Sequence, residues 1–83
     1  MTTTVAEQVN AREYTYVQCF YRGVPLGEMQ RTFLVLTPDR KEARRIAADY
    51  AERTWGIPHS IDIYPRNYIK EARQLAARGR IAS

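Results

Sequence analysis

The segment 37–56 constrains the fold of this chain more than any other. Its apolar residues recur at Ala43, Ile46, Ala47, Tyr50 and Ala51, the i, i+3, i+4, i+7, i+8 spacing of one helical face. Thr37-Pro38-Asp39 reads as an N-cap, a proline at the first helical position and an acid in the first turn. Gly56, after Trp55, is the expected stop. Lys41, Glu42, Arg44, Arg45, Asp49, Glu52 and Arg53 fill the opposite face, where Glu42–Arg45 and Asp49–Arg53 are spaced to pair across one turn. One amphipathic helix must lay its stripe on something, and the flanking segments offer a sheet.

The run 14–21 is dense in β-branched and aromatic residues and reads as a first strand. Glycine and proline punctuate 23–27 as a turn, and 30–36 is a second strand, which predicts an antiparallel hairpin. A third strand is expected over 57–64, with Ile57, His59, Ile61 and Ile63 on one face and Ser60, Asp62 and Tyr64 on the other. Pro65 ends it, and Asn67 is placed to cap a second helix running to about Arg78, with Tyr68, Ala72, Leu75 and Ala76 as its stripe, Ile69 beside it, and Gly79 as its stop. The expectation is a single α+β domain over 13–79 in the order β-β-α-β-α. A flexible arm precedes it over 1–12 and a short tail follows over 80–83. A crossover helix makes the third strand parallel to the second, most simply lying beside the first. The result is a three-stranded antiparallel or mixed sheet with a covering helix and a basic C-terminal helix. Whether that second helix packs on the sheet or stands out is open at this level.

The 83 residues carry a net charge of +4, and its distribution is uneven. Acids and bases balance over residues 1–65, whereas Arg66, Lys70, Arg73, Arg78 and Arg80 face only Glu71 in the rest. Arg66, Lys70 and Arg73 fall at i, i+4, i+7, along one edge of the second helix. A balanced body with a cationic end fits a binder of an acidic partner. That partner is an acidic protein surface or a phosphate backbone, and plain surface solvation is the third reading. No run approaches the roughly 20 apolar residues of a membrane span, and the first residues lack the basic start and apolar run of a signal peptide. One cysteine, Cys19, excludes an internal disulfide and fits a reducing compartment, so a cytoplasmic protein with no membrane partner is expected.

Equipment for catalysis is sparse. His59 and Cys19 are the only residues of their types, too few for a four-ligand zinc site, and neither paired acids nor a glycine-rich phosphate loop occurs. Cys19 lies mid-strand, where a small buried hydrophobe is the ordinary reading. We therefore expect no enzyme, no cofactor and no metal site. The aromatics are more informative. Both faces of the first strand are apolar or aromatic, and one helix can cover only one face, so some tyrosines should stay accessible. Tyrosine and arginine are the types enriched at interface hot spots. The candidate partner-binding residues are Arg66, Lys70, Arg73 and Arg78 with Tyr14, Tyr16 and Tyr64. Oligomeric state is open, and a sheet-mediated dimeric adaptor is a further reading.

The hairpin over 14–36, the helical segment closing on Trp55-Gly56 and the strand after it resemble small phage-encoded type I anti-CRISPR proteins with a β-β-α-β plan. The added basic helix departs from the acidic, DNA-mimicking members, which argues against a DNA-mimic mechanism. The resemblance implies a cofactor-free inhibitor in the host cell cytoplasm that binds subunits of a type I CRISPR-Cas surveillance complex, or its nuclease, and blocks target DNA binding or cleavage. The alternative from the residues is a small nucleic-acid-binding or ribosome-associated module that sets its basic helix on phosphate.

Overall fold

The computed structural model describes residues 4–22, 30–64 and 68–82. Six elements follow along the chain: α1 (Val5–Asn10), β1 (Thr15–Phe20), β2 (Gln30–Val35), α2 (Arg40–Thr54), β3 (Ser60–Tyr64) and α3 (Ile69–Ala77). The strands form one sheet in the order β2-β1-β3, with β1 central and antiparallel to both neighbours. β3 therefore runs parallel to β2, as the crossover through α2 requires. The chain is an α+β domain, with one helix more than the sequence pattern suggests.

The register explains the burial. Val17 lies between Phe33 and Ile63, and Cys19 between Arg31 and Ile61, so alternate residues of all three strands share one face. On that face α2 lays down Ala43, Ala47 and Ala51, all fully buried, with Ile46 and Tyr50 packed beside them. The small alanines let the helix lie close. Phe33, Tyr50 and Trp55 fill its far end as a ring cluster with centroids 4.9–5.9 Å apart. Glu42–Arg45 and Asp49–Arg53 both form on the solvent side.

Among the described residues, helices cover the other face of the sheet only at one end. There Val9 of α1, Tyr14, Leu34 and Ala72 of α3 form a second buried cluster, joined by Tyr16, Ile69 and Leu75. The residues read as a loose arm are thus a helix over 5–10. Thr4 caps it, accepting a hydrogen bond from the Glu7 amide. At its other end Arg12 donates to the Val9 carbonyl and Glu13 to that of Gln8, the paired bonds of a Schellman stop. Arg12 takes the left-handed φ of 60° that glycine usually fills. No glycine marks this stop, and only Val5 and Val9 carry the spacing.

Three further boundaries move. The N-cap of α2 is Asp39 rather than Thr37. Its carboxylate accepts from the Lys41 and Glu42 amides, while the Thr37 hydroxyl accepts from the Asp39 amide in a turn ahead of the helix. β3 starts at Ser60, not at 57. Pro58 has no amide proton to offer a ladder, pairing begins where His59 N–H donates to the Phe20 carbonyl, and Ile57 stands 77% exposed outside the strand. The tail also pairs over 80–82. Gly79, at φ 71°, turns the chain out of α3. Leu34 N–H then donates to the Arg80 carbonyl and Ala82 N–H to that of Leu34, a parallel bridge along the outer edge of β2. The glycine–proline turn at 23–27, Pro65, Arg66 and the Asn67 cap lie outside the described residues.

Candidate binding groove

Because α1 and α3 cover one end of the second face, a groove is left where α3 meets the bare part of the sheet. It is a hollow of about 340 Å³ lined by Tyr16 of β1, Gln30 and Thr32 of β2, Glu71, Gln74 and Leu75 of α3, and by Arg78 and Arg80 after it. The pairing of 80–82 with β2 is what brings Arg80 here. A free tail would leave that guanidinium in solvent, whereas the turn at Gly79 sets it beside Arg78. Neither arginine forms an ion pair among the described residues. Two arginines thus line the groove with one acid, Glu71.

A chain of side-chain hydrogen bonds crosses the sheet and ends at this groove. The Tyr64 hydroxyl donates to Gln18 Oε1 at 2.6 Å, and Gln18 Nε2 donates to Gln30 Oε1 at 2.8 Å. The Gln30 amide is thereby oriented with its Nε2 left as a donor. Tyr16, Tyr64 and Tyr68 pack at centroid separations of 5.4–5.9 Å beside it. Burial, and then the Glu71 carboxylate and the neighbouring phenols, push the Tyr16 hydroxyl above its ordinary pKa. It stays a neutral donor at physiological pH.

The residues singled out from sequence are divided by the fold. Tyr16 and Arg78 line the groove, and Tyr64 braces it. Lys70 is exposed on α3. Arg73 is taken: its Nε and Nη2 donate to Asn10 Oδ1 at 3.0 and 2.6 Å and tie α3 to α1. Tyr14 is corrected outright. It is fully buried in the second cluster, because α1 and α3 close over it, and so it presents nothing to a partner. Among the described residues its hydroxyl has no hydrogen-bond partner, and burial pushes its pKa up. Arg80, Gln30, Thr32 and Gln74 were not singled out. Only Arg80 carries a sequence signal, as part of the cationic end.

Elsewhere the chemistry is subdued. Cys19 is fully buried on the α2 side, and burial pushes its thiol up to about 11. His59 is exposed. Among the described residues no three His, Cys, Asp or Glu side chains converge as metal ligands, and no helix is long and apolar enough to cross a membrane. In comparisons with known proteins the chain matches no family model, no curated protein and no solved structure. What the geometry defines is a small α+β domain with a polar, arginine-lined groove on a half-covered sheet.

Proposed function

We propose that this chain is a non-enzymatic binding protein that docks an acidic surface of a partner protein through the groove between α3 and the sheet. One observation carries the reading: Arg78 and Arg80 line one groove with Tyr16 and Gln30, and neither forms an ion pair among the described residues. Such a constellation recognises carboxylates by charge-assisted hydrogen bonds and gains packing area from tyrosine. The resemblance of the hairpin, helix and third strand to type I anti-CRISPR proteins supplies the partner class to test first, a CRISPR-Cas surveillance complex or its nuclease. Occlusion of that surface would block target DNA binding or cleavage with no cofactor, inside the host cell.

The nucleic-acid alternative fits the site less well. Tyr16 and Tyr64 are half-buried and spend their rings on each other and on Tyr68, so they offer little free face for stacking bases. The discriminating experiment is capture from host lysate with immobilised wild type and an R78E/R80E variant, read for both protein and nucleic acid. One defined protein assembly should be retained by the wild type and lost by the variant. Retention of nucleic acid alone, with steep salt dependence, would refute the proposal.

A further inference from the structure

The two outer edges of the sheet are treated differently. Residues 80–82 cover the edge of β2 at Leu34, while β3 has only β1 as a strand neighbour among the described residues. On β3 the Ile61 carbonyl accepts a hydrogen bond from Arg44 Nη1 at 3.0 Å, so it points away from β1. Backbone groups alternate along an antiparallel strand, which places the N–H and C=O of Ile63 on the same outer side. A side chain thus covers one polar group of an edge that could still accept another strand.

The surroundings of that edge are cationic, although sequence arithmetic makes this part of the chain neutral. On α2, Glu42 is spent on Arg45 and Asp49 on Arg53, while the Asp39 carboxylate caps the helix. Arg40 and Lys41 form no ion pair among the described residues, and Arg44 holds only a carbonyl. These three side chains and Ile63 line a shallow hollow of about 250 Å³ beside the strand. It lies on the α2 side of the sheet, across from the groove.

We propose that the outer edge of β3, flanked by Arg40, Lys41 and Arg44, is a second docking surface that takes an extended acidic segment of a partner protein as an added strand. The main chain of that segment would pair with Ile61 and Ile63. Side chains project alternately from a strand, so carboxylates at every second position would meet the three cations. Arg44 would exchange the Ile61 carbonyl for a carboxylate, a stronger acceptor. A second copy of this chain suits the edge poorly. Antiparallel self-pairing centred on Asp62 sets acid opposite acid and crowds two copies of the cationic cluster together. The proposal is independent of the groove, and the two surfaces share no residue.

The test uses the full chain and a capped peptide of alternating valine and glutamate, with binding followed by fluorescence anisotropy and amide hydrogen exchange. The peptide should bind and slow exchange at the Ile61 and Ile63 amides. Methylating alternate peptide nitrogens, or the R40E/K41E/R44E change, should weaken binding at this edge by about tenfold or more and remove the protection of the Ile61 and Ile63 amides, while R78E/R80E leaves that protection in place. All three exchanged residues have side chains on the surface of α2, and an unaltered melting temperature confirms that the variant folds. Four results would overturn the proposal: no binding, binding indifferent to methylation, equal occupancy by a single-stranded oligonucleotide, or a dimer in sedimentation protected at β3.

Discussion

Replacing Tyr14 by phenylalanine should make this protein more stable. The ring is fully buried among Val9, Leu34 and Ala72, and its hydroxyl finds no partner among the described residues. An unsatisfied buried polar group costs about 1–3 kcal/mol, because its hydrogen bonds to water are lost and nothing replaces them. Phenylalanine keeps the ring and its packing and removes only that penalty. The expected gain is about 1–2 kcal/mol. For a domain of this size each kcal/mol moves the midpoint by about 4–8 °C, so the melting temperature should rise by at least about 4 °C. Tyr14→Ala provides the opposite control, since emptying the site should cost about 3–5 kcal/mol. Thermal unfolding followed by circular dichroism reads both. A Tyr14→Phe variant that melts lower than wild type would refute the reasoning, because the hydroxyl would then have to be making a favourable bond.

Further expectations follow from the same structure. Val9→Ala should cost about 2 kcal/mol in thermal unfolding, since two methylenes' worth of buried surface is lost; a loose arm would show no change. Arg12→Gly should stabilise by about 0.5–1 kcal/mol, relieving the left-handed backbone at the α1 stop, and a loss of stability would contradict the cap geometry. Cys19 has a folded-state pKa raised from 9.0 to about 11. Its contribution to stability is therefore complete below pH 9 and lost as pH rises through 11, roughly 2–3 kcal/mol in all. In denaturant titrations across that window, Cys19→Ala should lose less stability than wild type, and an identical slope would show that the thiol is not desolvated.

The parts of this fold legible in sequence are those where local chemistry and burial agree. The alanine stripe of α2 was visible because its spacing is the period of the helix and its target is a continuous sheet face. β3 was placed correctly beside β1 because crossover handedness leaves few alternatives. What escaped was decided by tertiary contact. α1 is six residues long, too short to display a period, and stops at an arginine rather than a glycine. The helix-capping signal at Thr37 was real but duplicated, and the carboxylate of Asp39, two residues on, reaches the amides better. The candidate groove was half readable. Arg78 and Tyr16 carried signals of residue type, but Gln30 and Thr32 are ordinary strand residues until the pairing of 80–82 sets Arg80 beside them. Tyr14 shows the converse failure, for a tyrosine at the start of a strand gives no local sign that a short helix will close over it. The charge count is right in sum and silent on placement. Residues 1–65 do sum to zero, but the fold pairs Glu42 and Asp49 with Arg45 and Arg53 and leaves Arg40, Lys41 and Arg44 together beside β3.

The central claim is that the arginine-lined groove docks an acidic protein surface. Its most direct test is a titration of a purified type I surveillance complex with this protein, reading target DNA binding and cleavage. The account predicts that inhibition is complete near one equivalent, and that R78E/R80E, at an unchanged melting temperature, shifts the curve by about tenfold or more. Inhibition unaltered by R78E/R80E, or neither complex nor nuclease engaged at any ratio, would contradict it.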